Sequence, residues 1–276
     1  MKIRKILLGV LLGGLAIFGL VALGIAGVIL YDSLFPVQTA ADFTNVTYPG
    51  PDGITLRAYL AKPQGDGPFP AVLLVHEFFG INQDITQKAD LLAKQGYLVL
   101  AVDAYRGNTS PLIPRAVWLV LTTPQEQIRA DIDAGFQYLA ASPQVNAARI
   151  GAVGFCFGGT QVMHLGTRNP DLAATAIYYG NGPITDPQAL GVMGQSGPVL
   201  GIYGEQDAAI PLEQVRGFEQ AMQSRGISNQ VTVYPGVGHA FVHMDTLSVP
   251  GPAQDAWNQM LDFLEQSLKN PGQVSR

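Results

Sequence analysis

The residues best able to do chemistry are a cysteine, an aspartate and a histidine, each in a glycine-containing turn. Cys156 is the single cysteine of the chain and stands in Gly154-Phe155-Cys156-Phe157-Gly158-Gly159. The apolar run Ile150 to Val153 precedes it and Thr160-Gln161-Val162-Met163 follows. Short strand, tight turn, then helix is the layout of a nucleophile elbow, where a strained turn lifts a reactive side chain over the end of a sheet. Glycines at 154, 158 and 159 suit that turn, since neighbours with a Cβ would clash with it or with the sheet. The elbow also sets the sulfur at a helix N-terminus, where the dipole and free N–H groups favour a thiolate. A lone cysteine is more often a small buried apolar residue. A packed core cysteine needs no framing glycines, so the reading here is a nucleophile.

Asp207 follows 51 residues later, in Gly204-Glu205-Gln206-Asp207, and His239 a further 32 later, in Gly236-Val237-Gly238-His239. Thiol, imidazole and carboxylate are the three parts of covalent acyl transfer: the nucleophile, the base that takes its proton, and the acid that orients the base. The plainer roles are a helix cap or solvated loop carboxylate for Asp207 and a surface loop residue for His239. Nucleophile, acid and base in that chain order is the order of the α/β-hydrolases. His164, one helical stretch beyond the elbow, reads as structural.

The elements around these residues alternate. Val46 to Tyr48 and Ile54 to Leu60 alternate apolar and polar about the turn Pro51-Asp52-Gly53, an antiparallel opening hairpin. Ala71 to Val75 and Tyr97 to Val102 are unbroken apolar runs, as strands buried on both faces require. Between them, residues 84–95 have helical spacing and stop at Gly96. Residues 104–123 are expected to be an irregular flap, because Pro111 and Pro114 interrupt any long helix. Pro124 to Ala141 reads as a helix with proline in its first turn. Strands are expected at 174–179, 198–203 and 230–234, and helices at 211–225 and 253–268. This pattern predicts one α/β domain, a mostly parallel sheet with helices on both faces. Its chemistry belongs at the carboxyl ends of the strands.

The 276 residues are 47% hydrophobic and only 13% charged, and much of that bias comes from one place. Ile6 to Leu30 is 25 residues without a charge, long enough to cross a bilayer as a helix. Lys2, Arg4 and Lys5 precede it, so the expected orientation is N-terminus in the cytoplasm and the remainder outside. A cleaved signal sequence ending near Thr39-Ala40-Ala41 is the alternative, but its apolar core would be about 7–15 residues. The expected organisation is therefore a membrane anchor over 1–31, a linker over 32–42, the domain over 43–270 and a tail over 271–276. Setting the three leading cations aside leaves 13 basic against 21 acidic residues, a net charge of −8. That balance and the lack of a basic stripe exclude nucleic acid as a partner.

Four segments in order, Gly-Phe-Cys-Phe-Gly-Gly at 154–159, His76-Glu77-Phe78-Phe79-Gly80, Gly204-x-x-Asp207 and Gly238-His239-Ala240-Phe241, resemble the dienelactone hydrolase family. The resemblance runs from about Val46 to Leu268. It implies the α/β-hydrolase fold and a Cys156-Asp207-His239 triad that opens small lactones or esters without metal or organic cofactor. It also implies a role for Glu77, otherwise an ordinary strand-end carboxylate, as the group that takes the thiol proton when substrate arrives. In that picture the resting thiol is protonated and held away from His239. His76-Glu77 is not a zinc motif, because H-E-x-x-H needs histidine where Gly80 stands. The N–H groups of Phe78 and Phe157 are expected to hold the oxyanion. Tyr105, Arg106 and His243 are expected at the substrate. Arg106 lies one position early for one family arginine, and His243 replaces another, so a different small ester or lactone fits as well as a dienelactone. The contrasting reading is a membrane-tethered binding module without turnover, since fold alone does not dictate function.

Overall fold

The computed structural model describes residues 2–271. The chain opens with helix α1 (Lys2–Leu34) and enters the domain through a short 3-10 turn at Ala40–Asp42. Then come β1 (Val46–Pro49), β2 (Thr55–Ala61), β3 (Phe69–Val75), α2 (Gln83–Lys94) and β4 (Leu98–Val102). Next are α3 (Ile113–Thr122), α4 (Gln125–Ala140), β5 (Val145–Phe155), α5 (Phe157–Gly166) and β6 (Ala174–Tyr178). The chain finishes with β7 (Val199–Gly204), α6 (Leu212–Ser224), β8 (Asn229–Tyr234), the single turn α7 (Met244–Leu247) and α8 (Pro252–Leu264).

The eight strands form one sheet in the order β1-β2-β4-β3-β5-β6-β7-β8. β1 and β2 pair antiparallel, β2 pairs antiparallel with β4, and every later pairing is parallel. The pleat sends alternate residues to opposite faces. Leu73 and Val75 of β3 join the core under α4, α5 and α6, while Val72 and Leu74 join the core under α2 and α8. From β3 the chain steps to β4 on one side and later to β5 on the other. The crevice where the order reverses, at the carboxyl ends of β3 and β5, is where such sheets hold ligands.

Three expectations need correction. The expected linker begins inside a helix, because α1 continues through Asp32 to Leu34 and packs against α3. The flap is not irregular throughout. Pro114 lies in the first turn of α3, where its missing N–H costs no bond, so a ten-residue helix forms after all. Pro124 is the N-cap of α4 and not its first helical residue. Of the expected tail, residues 272–276 lie outside the described residues.

Candidate active site

Cys156 sits between the last residue of β5 and the first of α5, with φ +53°, a region that side-chain-bearing residues rarely enter. Its N–H is held by the Tyr178 carbonyl at 3.0 Å, and its own carbonyl accepts from Thr160 N–H at 3.1 Å. The flanking glycines are sterically required. A Cβ on Gly154 would collide with the backbone of Gly158, and one on Gly158 with the Val75 carbonyl. The turn at Cys156 can therefore press directly onto the end of β3.

Sγ of Cys156 lies 3.1 Å from Nε2 of His239, and Nδ1 of His239 lies 2.7 Å from Oδ2 of Asp207. The other oxygen of Asp207 accepts the N–H groups of Ala209 and Ile210 at 2.8 and 3.2 Å. A buried carboxylate with both oxygens engaged fixes the tautomer: Nδ1–H donates to Asp207, and Nε2 is left to accept from the thiol. The thiol is not held away from His239, contrary to expectation.

Nor does the helix N-terminus leave a thiolate at rest. Burial first, and the charge of Glu77 second, push the Cys156 thiol up to about 11. The backbone N–H groups of Phe157 and Phe78 pull the other way, but do not prevail. Phe157 follows the end of β5 and Phe78 the end of β3, so the two N–H groups come from neighbouring strands. Glu77 is itself buried, and desolvation raises its pKa against the opposing pull of Lys88. Its carboxyl faces the Tyr179 hydroxyl at 3.4 Å.

His76 explains how the Phe78 N–H is aimed. The imidazole is fully buried, and burial lowers its pKa to about 4, so it is neutral at physiological pH. Its Nε2 accepts the Ala104 N–H at 3.1 Å, which leaves Nδ1 as the protonated nitrogen, donating to the Glu77 carbonyl at 2.6 Å. That carbonyl and the Phe78 N–H belong to the same planar peptide unit and point in opposite directions. Holding the one therefore aims the other. The ring is stacked on Phe157, 5.7 Å between centroids.

A cavity of about 430 Å³ opens beside the sulfur. Phe78, Val117, Val120, Leu121 and Phe157 give it apolar walls, and Gln125, Thr160, Gln161 and Asn181 supply the polar groups. Gln161 is buried and donates to Gln125 at 3.2 Å, leaving its own oxygen unpartnered. The three residues expected at the substrate do not line this cavity. Arg106 forks onto Asp131 through two 2.7 Å bonds. His243 borders a separate depression with Phe241 and Pro250. Tyr105 is buried beneath Phe157, its ring 5.2 Å away and its hydroxyl without a partner.

Two residues near the site escaped the sequence reading. Lys88 is fully buried, bonded to Asp84 and to the Val242 carbonyl, with its ammonium 4.2 Å above the Phe155 ring. Helical spacing carried the signal, because position 88 falls on the same buried stripe as Ile85, Ala89 and Leu92. Tyr179 has φ +37°, and its ring lies 5.1 Å from the His239 ring, tilted by 59°; no sequence pattern marks it.

Sheet order, elbow and hydrogen-bonded relay define an α/β-hydrolase. Comparison with known proteins narrows that class. Residues 56–268 match the family model described as "Dienelactone hydrolase family". A Methylorubrum extorquens protein provisionally named a carboxymethylenebutenolidase is 34% identical over 235 residues, 80% of each chain. A Bradyrhizobium protein provisionally named a 2-oxo-3-(5-oxofuran-2-ylidene)propanoate lactonase is 32% identical over 232 residues, 79% of this chain and 92% of that one. The crystal structure of a provisionally named dienelactone hydrolase from Klebsiella pneumoniae superposes with a TM-score of 0.68 at 31% identity. That match covers 80% of this chain and 98% of the other. The chain belongs to the dienelactone hydrolase family, and it is an ester or lactone hydrolase.

Proposed function

We propose that this hydrolase cleaves an ester or lactone with Cys156 as nucleophile, working outside the cytoplasm at the end of a membrane anchor formed by α1. One observation carries the catalytic part: the unbroken line from Cys156 Sγ through His239 to Asp207. Because the resting thiol is protonated, attack is general-base assisted. His239 Nε2 takes the S–H proton as the carbon–sulfur bond forms. The carbonyl oxygen gains negative charge, and the N–H groups of Phe78 and Phe157 receive it. The carbon–oxygen bond then breaks, and His239 returns the proton to the departing alkoxide. Water attacks the thioester with His239 again as base, the acid leaves, and the sulfur recovers its proton. Glu77, whose negative charge opposes a second one on sulfur, keeps the thiol neutral until His239 removes the proton.

The anchor reading rests on α1, where Ile17–Leu34 has mean hydropathy 2.0 and is almost wholly uncovered by the domain. The leading Lys2, Arg4 and Lys5 orient it with the domain outside. The cavity walls are apolar and carry no cation, which favours an uncharged substrate over a carboxylate-bearing lactone. The test is turnover of a panel of neutral and anionic esters and lactones by the full chain and by Cys156→Ala. A thioester adduct at Cys156, trapped by acid quench and located by mass spectrometry, is expected. Turnover that survives Cys156→Ala unchanged would sink the nucleophile assignment.

A further inference from the structure

The face of the protein nearest α1 carries an unusual amount of exposed apolar surface. Ile113, Val117 and Leu121 stand at i, i+4 and i+8 of α3 and form one ridge, 61%, 42% and 76% exposed. Trp118 lies beside them, 46% exposed. The ridge is also the rim of the active-site cavity, because Val117 and Leu121 line it. A ridge left uncovered while its own residues wall a catalytic pocket is not ordinary core packing.

What covers it is indicated by the chain just before the domain. α1 ends at Leu34 and packs against α3, and Ala40, already buried, bonds through its N–H to the Gly107 carbonyl. The intervening residues, fully extended, reach at most about 20 Å, so a bilayer holding α1 must lie close beside α3. Tyr31 and Phe35, with rings 5.5 Å apart, mark the level where the helix leaves the apolar phase. Charge agrees with this placement. From Ala104 to Gln125 the chain carries Arg106 and Arg115 and no acidic residue, although the chain beyond its three leading cations has a net charge of −8.

We propose that α3 is an interfacial helix whose apolar ridge lies in the bilayer that holds α1, and that the cavity takes lipophilic esters directly from that bilayer. The proposal rests on the hydrolase and anchor readings above and adds the substrate class and its route. An acyl chain would enter between Val117 and Leu121 along the apolar wall. The ester carbonyl would then meet Cys156 without either end crossing bulk water.

The chain carries its own reporter. Trp118 and Trp257 are the two tryptophans, and Trp257 is buried. Full-length Trp257→Phe protein is reconstituted in phosphatidylcholine vesicles brominated near the glycerol backbone. Strong quenching of Trp118 by the bromolipid, with weak quenching by aqueous acrylamide, is expected. Free quenching by acrylamide and none by bromolipid overturns the proposal. Protection from both also overturns it, since a second protein copy would then cover α3. For the route, Ile113→Asp is compared with the parent chain on two esters of the same alcohol, one short and water-soluble, one long and bilayer-partitioned. Residue 113 lies outside the cavity, and an aspartate in the first turn of a helix is favourable. A roughly tenfold fall in kcat/KM for the long ester is expected, with the short one changed less than about twofold. Equal changes, or none, overturn the route. Failure of Cys156-dependent turnover on both esters counts against the hydrolase reading and removes the route with it, while quenching still decides the docking. Loss of the protein on carbonate washing counts against the anchor and the docking together.

Discussion

Substitution of His76 tests how much of the catalytic geometry is fixed by a residue that never touches substrate. His76→Leu removes two buried bonds, Nδ1–H to the Glu77 carbonyl at 2.6 Å and Ala104 N–H to Nε2 at 3.1 Å. Each orphaned backbone group costs about 1–3 kcal/mol of stability. The catalytic loss has a different origin. Freed of its clamp, the 77–78 peptide can rotate, and the Phe78 N–H loses the aim that its proposed oxyanion role requires. Outright loss of one such donor costs about 10²–10³ in kcat, so a loss on the order of 10² is expected for Leu. Two conservative variants separate the effects. The side-chain nitrogen of His76→Asn can replace Nδ1 and should bring kcat back to within about tenfold of the parent. The oxygen of His76→Gln can replace Nε2, restoring stability through Ala104 but not kcat. The assay is steady-state hydrolysis of a chromogenic ester beside thermal unfolding of each variant. A folded Leu variant with kcat within about threefold of the parent refutes the clamp, and so does an Asn variant as slow as Leu.

Three further outcomes follow from the same geometry. Iodoacetamide should label substrate-free Cys156 slowly at neutral pH, at a rate that climbs toward a thiol pKa of about 11, and faster in Glu77→Gln, which removes the second largest cause of the shift; a rate plateau below about pH 8 would mean a standing thiolate. Because the folded pKa of Cys156 lies above its unfolded value of 9.0, the neutral thiol's contribution to stability is intact below pH 9.0 and lost as pH rises toward about 11. The loss, on the order of 3 kcal/mol, should be missing from the difference between parent and Cys156→Ala unfolding curves below pH 9.0 and present above it. Arg106→Ala should destabilise the fold by roughly 2–3 kcal/mol, because Asp131 is buried and loses its partner, somewhat less than a fully buried pair since Arg106 is itself part-exposed. The same variant should leave the preference between anionic and neutral esters unchanged; a marked shift in that ratio would return Arg106 to the substrate.

The sheet and the meeting of Cys156, His239 and Asp207 were legible because each rests on local chemistry. A run such as Ala71 to Val75 must be buried on both faces whatever surrounds it, and glycines at 154, 158 and 159 leave few uses for the cysteine between them. Asp207 and His239 could be placed by order alone, since the topology carries both to the carboxyl edge of the sheet. Boundaries fared worse where a proline was weighed without its position. Pro114 was expected to stop a helix that it in fact starts, because the first turn has no bond for proline to break.

The substrate grip was not legible, and Arg106 shows why. A motif places a backbone; it does not say where a long side chain points. Arg106 has φ +49°, which turns its side chain from the course an extended residue would take, and Asp131 waits on α4, 25 residues away in sequence. That carboxylate lies inside the domain and engages both arms of the guanidinium, a geometry that holds the arginine far more firmly than a transient substrate carboxylate could. A cavity whose lining residues include no cation, and whose apolar walls are shared with an exposed ridge, fits the proposed uncharged substrate better than a charged one. The departure from the family's arginine pattern is therefore not a weakened version of the same recognition. It is what the site requires if its substrates come without a carboxylate, and the ratio of neutral to anionic turnover should favour the neutral ester by at least about tenfold, where equal turnover would restore a carboxylate grip that the cavity lining does not contain.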